Sequence, residues 1–131
     1  MIIHFGVVDV AYSEDGKSET TFEVAKKLET EYGVMRIFIA AHEQEIADEM
    51  SEELMAMLDG PVRPANVHFP EVDAQFRDYL SKGEWEKITG RQTGAAAARK
   101  SARHKSGTKT ADRPSFIDTG LYRRSFRSWV S

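Results

Sequence analysis

Residues 34–60, VMRIFIAAHEQEIADEMSEELMAMLDG, place the strongest constraint on what this chain can fold into. Met35, Ile39, Ile46, Met50, Leu54 and Leu58 recur at helical spacing, with Phe38 and Met57 alongside. Strong helix formers fill the stretch, and Gly60-Pro61 ends it. A single helix of this span would be roughly 35–40 Å long at 1.5 Å per residue. A domain of this size has a radius of gyration of only about 14 Å. A helix that outreaches its own core leans on something else.

Shorter elements surround it. MIIHFGVVDVAY is apolar and β-branched, and predicts one short N-terminal strand or an extended arm. SEDGKSE is a turn. Thr20 then opens a helix, with Glu23 three residues on as its reciprocal capping partner. Val24, Ala25, Leu28 and Tyr32 share a face of that helix, and Gly33 is a C-terminal stop. After the proline-rich connector GPVRPANVHFP, a helix is expected with Val72, Phe76, Tyr79 and Leu80 on one side. KGEWEKITGRQTG breaks it. At the end of the chain, Leu121, Tyr122, Ser125, Phe126 and Trp129 fit an amphipathic helix with Asp118 or Thr119 as N-cap. No internal repeat is visible. The expected fold is therefore α+β: a helix-rich single domain over residues 1–131. It has one long central helix, a short N-terminal strand or arm, a basic loop and a C-terminal helix.

Charge is divided unevenly along this framework. Residues 14–59 hold thirteen acids and four Lys or Arg, a balance of −9. Residues 91–113 hold seven Lys or Arg and one acid, Asp112, a balance of +6. The second segment is almost free of bulky apolar residues and cannot bury a core face, so it is expected to be a flexible arm or loop. Opposite halves of this kind attract each other, or the complementary halves of neighbouring copies. The chain has no cysteine, which removes disulfides, thiolate metal sites and cysteine nucleophiles together. Its apolar runs are too short to cross a bilayer, and its opening residues lack the charged-then-apolar pattern of a secretory leader.

Candidate chemistry is sparse. Asp118-Thr119-Gly120 after two apolar residues has the form of an aspartic-protease loop, whose Asp would be half of a shared-proton dyad. Position argues against it: such a loop sits early in a β-barrel, whereas only eleven residues follow Gly120. The N-cap reading is favoured. His42, Glu45 and Glu49 lie on successive turns of the long helix. Their order is not the Glu-x-x-His of di-iron bundles, and an acidic solvated face explains them better. His4, His68 and His104 stand in unrelated contexts, and TGRQTG lacks the lysine of a phosphate loop. No cofactor or metal site is expected. The basic segment, with Arg99, Lys100, Arg103 and Lys105, could bind a phosphate backbone. It has no interleaved aromatic for base stacking, and the chain's own acidic face favours a protein partner.

Two stretches carry a family resemblance. The opening, FGVVDVAYSEDGKSETTFEVAKKLETEYGVMRIFIAAHEQEIADEM, resembles the start of a family of tailed-bacteriophage neck proteins. These are small head–tail joining or tail-completion proteins. The ending, RPSFIDTGLYRRSFRSWV, is similar to the Asp-Thr-Gly-x-x-x-x-Ser helix start near the C-terminus of such proteins. The likeness covers both ends of the chain and leaves about residues 60–90 unmatched. It implies a non-enzymatic virion protein, assembled in the host cytoplasm, that forms a ring between the portal side of the head and the tail tube. The implied partners are further copies of the chain, neighbouring connector proteins, and the tail tube or terminator. A hexamer is favoured over a dodecamer, with non-specific contact to genomic DNA open. Asp118, Thr119 and Gly120 would then shape a helix start. Arg99, Lys100, Arg103, Lys105 and Trp129 would face a neighbouring subunit or partner. A small nucleic-acid-binding module using residues 91–113 is the alternative.

Overall fold

The first and last elements of the chain form one antiparallel pair. Strand β1 (Ile3–Val7) lies against β2 (Phe126–Val130), with Ile3 opposite Val130, Phe5 opposite Ser128 and Val7 opposite Phe126 on the inner face. This computed structural model describes residues 2–11, 19–61, 68–97, 115–116 and 120–130. Gly6 and Arg127, and His4 and Trp129, pair on the outer face. The Trp129 indole stacks on the His4 ring at 5.3 Å and lies over Gly6, where an added Cβ would meet it at 3.0 Å.

Seven helices complete the described order. They are α1 (Thr21–Tyr32), α2 (Val34–Ala41), α3 (Glu43–Leu58), α4 (Pro70–Ser81), α5 (Glu84–Thr89), α6 (Gly94–Ala97) and α7 (Leu121–Ser125). The architecture is helix-rich α+β, as the sequence predicts. Helix α1 starts as its local code dictates. The Thr20 hydroxyl accepts from the Glu23 N–H, and the Glu23 carboxylate accepts from the Thr20 N–H. It ends at Gly33, whose φ of 62° is left-handed and whose N–H reaches the Glu29 carbonyl.

Two expectations are corrected in detail. The long helix is bent at His42, whose φ of −117° and ψ of 19° leave the helical region and divide α2 from α3. The hydrogen bonds from His42 N to Phe38 O and from Ile46 N to His42 O persist across the bend. The C-terminal helix is only five residues long, because Phe126 turns extended and the chain continues as β2. Phe126, Ser128 and Val130 are buried and alternate with half-exposed Arg127 and Trp129, a period of two. The N-cap position of α7 belongs to Gly120, with φ 78° and no side-chain cap bond. Asp118 and Thr119 lie outside the described residues. A Cβ on Gly120 would approach only Arg123, at 4.0 Å, so backbone conformation rather than close approach calls for glycine there.

Aromatic rings from α2, α4 and β2 form the core. Phe76 stacks on Phe126 at 3.9 Å between centroids and meets Phe38 edge-on at 5.2 Å. Val34, Phe69, Val72, Tyr79, Leu80 and Trp85 are buried around them. Trp85, on α5, is held edge-on between Tyr32 and Phe116, and its indole N–H donates to the Tyr32 carbonyl at 3.3 Å.

Candidate functional site

Among the described residues, several carboxylates join one element to another. Asp73, in the first turn of α4, is buried. Its Oδ1 accepts from the Ser128 N–H at 2.8 Å and lies 2.7 Å from the Ser128 hydroxyl. That hydroxyl is also 3.1 Å from the Phe69 carbonyl, so two acceptors share one proton. The carboxylate thus satisfies backbone on the side of β2 that faces away from β1. A bridge between His68 and Trp129 covers the same side. Among the described residues β1 is paired only with β2.

Other carboxylates cap helices from a distance. Glu49 on α3 accepts from the Val72 N–H at 3.0 Å, near the start of α4. Burial chiefly raises the Glu49 pKa, opposed by bonds from the Val72 and Glu71 N–H groups and aided by repulsion from Glu71 and Glu53. Glu29 accepts from Met35 N at 2.7 Å and from Arg36 N at 3.3 Å, closing the start of α2. Asp9 does the same for Phe22 N at 3.2 Å. Glu86 takes both the N–H (2.7 Å) and the hydroxyl (2.5 Å) of buried Ser115. The Tyr79 hydroxyl donates to the Val34 carbonyl at 3.2 Å, and burial pushes its pKa up.

His42 sits at the bend between α2 and α3. Its Nδ1 is 2.6 Å from a Glu45 oxygen and its Nε2 is 2.7 Å from a Glu84 oxygen. The structure therefore joins His42 to Glu45 and turns Glu49 toward α4, so the trio does not converge. Among the described residues no group of three or more His, Asp or Glu is placed to hold a metal ion. No described helix is long and apolar enough to cross a membrane. Sequence reasoning missed Glu84, which is 42 positions from His42 and carries no local signal of the contact.

The surface most suited to a partner lies on α3. Its inner half is anchored by buried Ile46 and by Glu49. Its outer half, residues 50–58, has no buried side chain. Met50 and Met57 rest half-buried against the core, while Met55 is 61% and Leu58 81% exposed. Glu52, Glu53 and Asp59 lie among them. A second apolar group, Val8, Val10 and Phe22, is exposed where β1 leads toward α1.

No protein-family model, curated protein or solved structure matches the chain. Of the residues expected at a subunit interface, Arg99, Lys100, Arg103 and Lys105 lie outside the described residues. Trp129 is half-exposed on the outer face of the sheet, stacked on His4. Arg91, which opens the basic stretch, sits over the Tyr32 and Trp85 rings at 5.7 and 5.9 Å.

Proposed function

We propose that this protein is a structural subunit of a tailed-bacteriophage neck. It would form a ring, a hexamer by preference and a dodecamer as runner-up, that joins the head to the tail and lets the genome pass. The observation that carries the proposal is the outer half of α3. It is a well-formed helix that carries large apolar side chains in the open and acids between them. Such apolar groups on a regular element favour a contact surface. An acidic helix and a separate basic stretch on one chain suit a head-to-tail contact, in which unlike patches of successive copies meet and the rotation closes. The resemblance of both chain ends to neck proteins points to the particle as the setting. Neighbouring connector proteins and the tail tube or terminator would be the further partners, and the virion the location.

Light scattering of the purified protein over a range of concentrations and salt tests the reading. The expected result is growth from the 14.8 kDa monomer toward a ring-sized species, weakened by salt because the joined surfaces carry opposite charge. A mass that stays monomeric at every concentration contradicts it. Duplex DNA binding that falls steeply with salt, without self-association, would favour the nucleic-acid-binding module instead.

A further inference from the structure

A neutral imidazole has one N–H donor, and an ionised carboxylate has none. Both ring nitrogens of His42 nevertheless face carboxylate oxygens, Nδ1 toward Glu45 at 2.6 Å and Nε2 toward Glu84 at 2.7 Å. Only the imidazolium donates to both. We propose that His42 is a proton-operated clamp that ties the start of α5 to the α2–α3 bend while it is charged and loosens that tie when it loses its proton.

The surroundings of the ring fit a held cation. Its side chain is only 18% exposed. The Phe38 ring lies 5.1 Å away and the Tyr79 ring 6.4 Å away. The groups that face it are Glu45 from α3, Glu84 from α5 and the Tyr79 phenol from α4. Tyr79 stays neutral, because burial raises its pKa, and it donates to Val34. Lys82, just before α5, is paired with Asp78 at 2.8 Å and is also drawn by Glu84. Burial alone would lower the His42 pKa. The hydrogen bonds and charges of Glu45 and Glu84 outweigh it and raise the pKa above the ordinary 6.5. A raised pKa in the folded state means that the folded protein binds this proton more tightly than the unfolded chain does. The clamp's contribution is therefore complete below the unfolded value and is lost as pH rises through the folded one.

Deprotonation leaves a single N–H, so one of the two carboxylates must lose its bond. The three-way tie of the bend, α3 and α5 then becomes a two-way tie. Glu84 is the first residue of α5, and the amides of that short helix should report the change.

The experiment is a two-bond proton–nitrogen correlation spectrum of the imidazoles in the full-length protein, followed through pH. Below its midpoint both His42 nitrogens should show the protonated shift, and His42 should titrate above the ordinary histidine value of about 6.5. Glu84→Gln and Glu45→Gln should each lower that midpoint while Trp85 fluorescence stays native-like. A midpoint at or below the ordinary histidine value, or one that neither variant moves, would overturn the clamp. As a second measurement, amide exchange in residues 84–89 should quicken relative to α4 as pH passes the His42 midpoint, after correction for the intrinsic pH dependence. Unchanged corrected exchange would overturn the coupling to α5.

Discussion

Helices α3 and α4 are built from the same inventory and put it to different use. In α4, twelve residues long, Val72, Asp73, Phe76, Tyr79 and Leu80 are all buried, with β2, α5 and α7 packed against the helix and Phe38 of α2 against Phe76 and Tyr79. In α3, sixteen residues long, only Ile46 is buried; beyond it Met50, Leu54 and Met57 are half-buried, and Met55 and Leu58 are exposed. An apolar stripe alone does not distinguish them, since both carry one. What distinguishes them is whether the rest of the chain supplies an opposing surface. For α4 it does, even providing Glu49 to cap its first turn and Ser128 to meet its buried carboxylate. For the outer half of α3 the described residues do so only in part. Under the proposed function, a further copy of the chain would supply the complement.

Substitutions along the two helices should separate them by size of effect. The largest is expected for Phe76→Ala, which removes the ring stacked on Phe126 at the centre of the core. It should destabilise the monomer by about 3–5 kcal/mol in denaturant unfolding, the usual cost of a large cavity. A loss near that expected of an exposed site would place the core elsewhere. Asp73→Ala comes next. It strands the buried Ser128 N–H and hydroxyl and should cost about 1–3 kcal/mol. Because Asp73 lies against β2, amide exchange there should rise more than in α3. Thr20→Ala, away from both helices, calibrates the scale at about 1 kcal/mol for a lost cap. Smallest is Leu58→Ala, expected to change monomer stability by no more than about 0.5 kcal/mol because the side chain is exposed. It should nevertheless weaken self-association, a combination that a purely intramolecular role for α3 would not give.

Legibility in the sequence followed the range of the deciding interaction. The start and stop of α1 were readable because Thr20, Glu23 and Gly33 decide them within the helix itself. The stripe of α4 was readable because Val72, Phe76, Tyr79 and Leu80 all turn inward. The final strand was not. Phe126 and Trp129, three apart, satisfy a helical spacing, while Phe126, Ser128 and Val130 satisfy an alternating one, and five residues cannot separate the two periods. A stronger signal was present at the other end of the chain. A lone strand over residues 3–7 leaves backbone groups in need of a partner, and that need calls for a second strand somewhere. Helix α5 leaves little signal in the sequence, because it is under two turns long and bounded by left-handed Gly83 and Gly90, which read as breakers. The bend at His42 was hidden because strong helix formers flank it on both sides. Its carboxylate partner on α5 was legible only after folding. Asp118 and Thr119, and the basic residues Arg99, Lys100, Arg103 and Lys105, fall outside the described residues, so their expected roles rest on sequence.

The most direct test of the central claim is residue-resolved hydrogen exchange at two concentrations, one dilute enough for monomer and one at which the protein self-associates. The account predicts added protection at residues 50–58 on assembly, with α4 protected equally in both states. Added protection that skips residues 50–58 and falls on other surfaces would contradict it, because the outer half of α3 would then remain open in the assembled form.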